Sequence, residues 1–229
     1  MTQGPTCLEL IERGARQHAD RIAVIAEGQS LTFAQVNTRA NRLAHAMRAA
    51  GLAQHSRVAL LVNNGVHSVP LDFACMKAGL NRVPLNARLS AAEHSRMLAE
   101  AQCGLLVFGP DLAGRAAELK ALNPALACLG LGVSLADGDD LLAMAQAMPE
   151  TAPQIDVRPE DVIITLYTSG TTGVLKAAQH TQGSYAAICR NILMNLFPAR
   201  PDDAMLHSAS LIHALSLIHI SEPTRPERI

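Results

Sequence analysis

Residues 166–178, LYTSGTTGVLKAA, set four serine and threonine hydroxyls, two glycines and one lysine directly behind the apolar run DVIITLY (161–167). Thr168, Ser169, Thr171 and Thr172 can donate hydrogen bonds. Gly170 and Gly173 let backbone N–H groups turn towards an anion, and Lys176 adds a compact positive charge. Together they suit a polyphosphate. The lysine carries extra weight because the chain has sixteen arginines and only three lysines (Lys77, Lys120 and Lys176), so a basic residue without a particular duty is expected to be arginine. A solvated Ser/Thr/Gly turn is the plainer alternative for the same segment, and the surrounding sequence has to decide.

Other phosphate-binding and nucleophile patterns fail on spacing. A Walker A loop needs lysine directly after its last glycine, but Val174 and Leu175 intervene, and Ala177 has no hydroxyl to place on Mg²⁺. The only approach to a dinucleotide fingerprint, GLGVSL at 130–135, has Leu135 where the third glycine belongs. No G-x-S-x-G elbow occurs, and an S-x-x-K motif from Ser169 would put lysine where Thr172 stands.

The elements that must carry the loop are announced by short β-branched runs alternating with longer helical patterns. Strands are expected at 21–27, 57–62, 104–109 and 161–167. Thr32 with Gln35, and Ser90 with Glu93, fit capping boxes that open helices. In the first of these, Val36, Ala40, Leu43, Ala44 and Met47 recur on one face, and Gly51 sits where a left-handed C-terminal cap belongs. Pro149, Pro153 and Pro159 break the pattern into a linker-like loop over 148–161. The alternation implies an α/β fold with a mostly parallel sheet flanked by helices.

Composition narrows the classes of function. At 229 residues and 49% hydrophobic, the chain can bury a sizeable core, and a net charge of −1 leaves no electrostatic footprint for nucleic acid or anionic lipid. Aromatics at 3% without tryptophan give little for base stacking. The five cysteines (7, 75, 103, 128 and 189) are widely spaced with no C-x-x-C pair, which fits buried thiols in a reducing compartment rather than a metal site. Glu9 and Glu12 interrupt any signal-peptide core, and the longest apolar segment, 125–136, is shorter than the roughly 18 residues of a membrane span. A cytoplasmic protein is expected.

The C-terminus reads differently. LSLIHISEPTR (215–225) is the translation of a sequence that resembles the transposase adapter of short-read sequencing libraries, and it repeats the SLIH of 210–213 at 216–219. Residues 215–229 are therefore expected to be an adapter-derived tail, with residues 1–214 as the natural portion.

YTSGTTGVLKAA resembles the phosphate-binding signature of the acyl-adenylate-forming (AMP-binding) superfamily, usually Y-T-S-G-T-T-G-x-P-K-G, at nine of eleven positions. LTFAQVNTRANRLAHAMRAAG (31–51), MKAGLNRVPLN (76–86) and SAAEHSRMLAEAQCGLLVFG (90–109) are similar to earlier segments of that family in the same order, and LIHA (211–214) to the opening of a later one. The resemblance implies the N-terminal portion of the large domain of an acyl-CoA synthetase. Such an enzyme activates a carboxylic acid with Mg²⁺ATP as acyl-AMP and passes it to coenzyme A, commonly in fatty-acid metabolism. Thr168, Ser169, Thr171, Thr172 and Lys176 would contact the ATP phosphates, with Gly170 and Gly173 shaping the cradle, and no catalytic or metal-binding residue is assigned. His213 would line the acyl pocket, or is a half-buried histidine of no special role. The family's later catalytic segments would lie past residue 229, so the chain is expected to be inactive alone, poorly soluble, and to expose strand edges. V-P-L-N (83–86) leans towards CoA ligases. A peptide-synthetase adenylation domain and a non-catalytic nucleotide-binding module of the same fold remain alternatives.

Three positions depart from the family pattern: Leu175 for proline, Ala177 for glycine, and Gln182 for a histidine. Were position 177 to need a positive φ, alanine there would cost about 1 kcal/mol.

Overall fold

The computed structural model of the protein describes residues 5–136, 138–168, 176–195 and 204–207. It opens with helix α1 (Cys7–Gln17), started by a third capping box beyond the two expected. Thr6 Oγ1 accepts the Glu9 N–H at 3.2 Å and Glu9 Oε2 accepts the Thr6 N–H at 2.6 Å. Strands β1 (Ile22–Ala26) and β2 (Gln29–Thr32) form an antiparallel hairpin. Its turn residues Glu27 and Gly28 both have positive φ (54° and 72°), as two-residue turns of type I′ require. Helix α2 (Phe33–Ala49) begins with the expected Thr32/Gln35 capping box and ends at Gly51, whose φ of 93° is the left-handed cap expected there.

A run of strand–helix units follows: β3 (Arg57–Leu61), α3 (Ser68–Lys77), β4 (Asn81–Pro84), α4 (Ala91–Glu100), β5 (Leu105–Phe108), α5 (Ala113–Leu122), β6 (Ala127–Gly130), β7 (Asp139–Asp140) and α6 (Leu141–Gln146). Then come β8 (Val162–Thr168), β9 (Lys176–Thr181) and α7 (Gln182–Asn195). Among the described residues seven strands form one sheet in the order β7-β6-β5-β3-β4-β8-β9, parallel throughout except for the β8–β9 pair. The α/β class and the four expected strands are borne out. The apolar segment 125–136 proves to hold β6.

Two cores explain why the parallel strands read as unbroken apolar runs. Val58 and Leu60 of β3 face α2, α3 and α6, whereas Ala59 and Leu61 face α4 and α5. A strand covered on both sides has no polar face to show. The predicted face of α2 is buried to the last residue, with Val36, Ala40, Leu43, Ala44 and Met47 all at 2% exposure or less. Burying a leucine or valine of this kind contributes about 1.5–3 kcal/mol. The linker-like stretch 148–161 has no helix or strand, as expected, but it is strapped down. His45 Nε2 meets the Thr151 carbonyl at 3.0 Å and Arg42 pairs with Glu150 at 2.6 Å, both from α2. Among the described residues no helix is long and apolar enough to cross a membrane.

His94 of α4 shows how the second core is tied to the loop after β4. Its ring has no exposed surface, and Nε2–H donates to the Asn86 carbonyl at 2.8 Å while Nδ1 faces Arg115 Nη1 at 3.5 Å. That pairing calls for the neutral tautomer. Burial pushes its pKa below the usual 6.5, against the Asn86 carbonyl, and burial followed by Arg39 does the same to His67. Histidines held neutral in the fold contribute stability that is complete above the unfolded value and is lost as pH falls through the lower folded one. The melting temperature should therefore drop between about pH 7.5 and about pH 5.5. His94→Gln keeps an N–H for Asn86 and should drop less over that interval, so equal pH slopes in a thermal melt would contradict this role.

Candidate functional site

The parallel strands send their following loops to one edge of the sheet. Leu61, Pro84, Phe108 and Thr168, the last residues of β3, β4, β5 and β8, all stand at this carboxyl edge. Two features lie along it.

The first is the β8–β9 hairpin. Its ladder pairs Leu166 with Ala178, Tyr167 with Ala177, and Thr168 with Lys176. Thr168 and Lys176, the two ends of the sequence-predicted phosphate segment, are thus neighbours on the last rung. Lys176 is exposed. Ser169, Gly170, Thr171, Thr172 and Gly173 lie outside the described residues, as does His213. The stretch after the lysine is an antiparallel edge strand, which its alanine-rich sequence does not declare. Ala177 is an ordinary strand residue opposite Tyr167 and is not among the residues with positive φ, so the strain anticipated for it does not arise.

The position of this hairpin is set by buried polar contacts. Thr165 Oγ1 donates to Asn81 Oδ1 at 3.1 Å and accepts from Gln179 Nε2 at 3.3 Å, a relay across β4, β8 and β9. Arg82 Nη1 donates to the Ile163 carbonyl at 3.1 Å. Below the strand, Ile163, Ile164 and Leu166 pack with Cys7, Met76 and Ala186. Gln182, whose replacement of histidine has no evident consequence in the sequence, is 1% exposed and accepts the Leu8 N–H at 3.1 Å, joining the start of α7 to α1.

The second feature is not anticipated by the sequence analysis. From β3 the chain moves to β4 on one side and then crosses back to add β5 on the other, so strand order reverses between β3 and β5. Crevices at such switch points are where open α/β sheets take ligands. Here a cavity of about 140 Å³ is lined by Asn63, His67 and Ser68 after β3, Asp111 after β5, and Glu27 from the β1–β2 turn. Ser68 Oγ is engaged in shaping the loop, accepting from the Gly65 N–H at 2.9 Å and donating to the Asn63 carbonyl at 3.1 Å. The Asn-Asn-Gly run directly behind a strand is the available sequence signal. Among the described residues no cluster of three or more histidine, cysteine, aspartate or glutamate side chains is placed to hold a metal.

A family model described as AMP-binding enzyme matches residues 11–223. The chain is 38% identical over 167 residues to a fatty acid–[acyl-carrier-protein] ligase, ScoC, of Streptomyces coeruleorubidus, covering 72% of this chain and 31% of that protein. It is 34% identical over 212 residues to a feruloyl-CoA synthase of an Amycolatopsis species, covering 93% of this chain and 40% of that protein. The chain thus spans well under half the length of these relatives. Its fold matches the inhibitor-bound N-terminal domain of FACL13 from Mycobacterium tuberculosis with a TM-score of 0.83 at 24% identity, over 95% of this chain and 54% of that one.

The relay through Thr165 can be tested by itself. Thr165→Val keeps the shape but leaves Asn81 Oδ1 buried without its donor, and should destabilise the chain by about 1–3 kcal/mol. Urea unfolding should show a lower midpoint at unchanged slope. A midpoint equal to that of the parent chain would mean that the relay does not hold β8.

Proposed function

The chain belongs to the AMP-binding enzyme family, and on that footing we propose that its β8–β9 hairpin grips the β- and γ-phosphates of ATP while a carboxylic acid is activated as acyl-AMP. The observation that carries the reading is the register that sets Lys176 beside Thr168 at the carboxyl edge. A lysine there is a point charge at the mouth of a segment rich in hydroxyls and backbone N–H groups. In the proposed roles Thr168, Ser169, Thr171, Thr172 and Lys176 contact phosphate oxygens, and Gly170 and Gly173 allow close approach. Their work is electrostatic, offsetting the charge that grows on departing pyrophosphate. Mg²⁺ accompanies the nucleotide, and His213 is assigned to the acyl pocket.

Residues 1–214 are read as the N-terminal portion of the adenylation domain of a longer, cytoplasmic ligase, and 215–229 as an adapter-derived tail. Coenzyme A is the preferred acceptor on the strength of V-P-L-N (83–86) and of the feruloyl-CoA synthase relative. Transfer to a carrier protein is the second reading, favoured by the ScoC relative. A non-catalytic module loses one of its two supports, since Ala177 sits in regular strand geometry.

Two measurements test the proposal. Inorganic tripolyphosphate should raise the melting temperature of the chain by about 2–4 °C for each kcal/mol of binding free energy, and Lys176→Ala should abolish most of that shift. In the longer ligase, Lys176→Ala should cut acid-dependent pyrophosphate–ATP exchange by about 100-fold or more. Equal shifts and equal exchange in parent and variant would sink the assignment.

A further inference from the structure

Two of the five cysteines meet where α1 packs on α7. Gln182, Tyr185, Ala186 and Cys189 recur on α7 at offsets of three, four and seven residues, which places them on one side of the helix. That side faces α1. Gln182 accepts the Leu8 N–H, while Tyr185 and Ala186 share an apolar cluster with Cys7, Leu10 and Ile11. Cys189 therefore arrives over Cys7, close enough for each thiol to act on the other. Cys7 is 5% exposed and Cys189 half-buried, so an oxidant reaches the pair from the Cys189 side. The other three cysteines are buried in the two cores of the sheet.

Exposure rather than the surrounding charge makes the members of the pair unequal, since Arg82 favours ionisation at both. Its contact with Cys7, opposed by burial and helped by Arg82, holds the Cys189 thiol below its ordinary range, while the same contact and burial push Cys7 up. Asp72 opposes ionisation at both. An accessible thiol beside a buried one is the arrangement of an attacking cysteine and its resolving partner.

We propose that Cys189 and Cys7 are a redox-active pair, which a small-molecule disulfide such as glutathione disulfide converts into a covalent bridge between α7 and α1. The Cys189 thiolate attacks one sulfur of glutathione disulfide, breaking its S–S bond and releasing one glutathione thiolate, which takes up a proton. Cys7 then gives up its proton and attacks the Cys189 sulfur of the mixed disulfide, releasing the second glutathione. Two protein thiols lose two electrons, and one glutathione disulfide becomes two glutathione molecules. The bridge would staple α1 to the helix that continues from β9 without a break, and so to the strand that starts at Lys176.

The test is a disulfide map of the full chain after incubation with glutathione disulfide at neutral pH, alkylation and proteolysis. The expected result is a peptide containing Cys7 joined to one containing Cys189, with free thiols falling from five to three and returning to five with dithiothreitol. Cys7→Ser should stop at a glutathione adduct on Cys189, and Cys189→Ser should leave Cys7 unreacted. A parent chain that stops at the glutathione adduct, pairs Cys189 with another cysteine or keeps all five thiols would overturn the proposal. The map is read on the parent chain, so a folding defect in either variant leaves the outcome unaffected.

Discussion

The guanidinium of Arg82 is the contact on which the placement of the β8–β9 hairpin depends. It is 1% exposed, yet it reaches three other elements from its place in β4. Nε lies 2.5 Å from Asp72 Oδ1 on α3, Nη1 donates to the Ile163 carbonyl on β8, and the group stands 5.5 Å from the Tyr185 ring centroid on α7. Neither Nε nor Oδ1 makes a well-aligned hydrogen bond, so charge rather than geometry holds that pair. Burial opposes the Arg82 charge, but Asp72 first, and then Tyr185, Cys75 and Cys7, keep its pKa above the ordinary value. Asp72 is in turn pushed up by burial against the pull of Arg82. Desolvating two charges costs several kcal/mol per ion, which makes such a pair a weak source of stability but a strict one of position.

Position is what this part of the sheet needs. The ladder between β4 and β8 is short, with Arg82 itself opposite Ile164. β9 is bound to the sheet through β8. A small shift of β8 would carry Thr168 and Lys176 with it. Arg82 and the Thr165–Asn81 contact act from opposite ends of the same problem: the first ties the strand to the helices beneath, the second locks its register to β4.

Much of this architecture is legible in the sequence because its signals are local. A capping box, a left-handed glycine and an apolar face at helical spacing each act within a few residues, and the boxes at Thr32 and Ser90, Gly51 and the face of α2 all stand where the sequence places them. The Thr6/Glu9 box is equally local, yet Glu9 draws notice first as a charge that interrupts a signal peptide, and its capping role shows only with the helix in place. What stays hidden depends on distant partners. Arg82 within NRVPLN carries no mark of burial, since its counter-charge is ten residues upstream and its carbonyl partner 81 residues downstream. The pairing of β9 with β8 is a matter of register across a loop, and the cavity beside β3 exists only because strand order reverses there. Gln182 reads as a neutral departure until Leu8 is found against it.

The claim that Arg82 holds the hairpin in place is tested most directly by backbone hydrogen exchange in Arg82→Met compared with the parent chain. If the account is right, protection falls in 162–168 and 176–181 while β5 and β6, on the far side of β3, keep theirs. Unchanged protection across β8 and β9, or a loss spread evenly over the whole sheet, would contradict it.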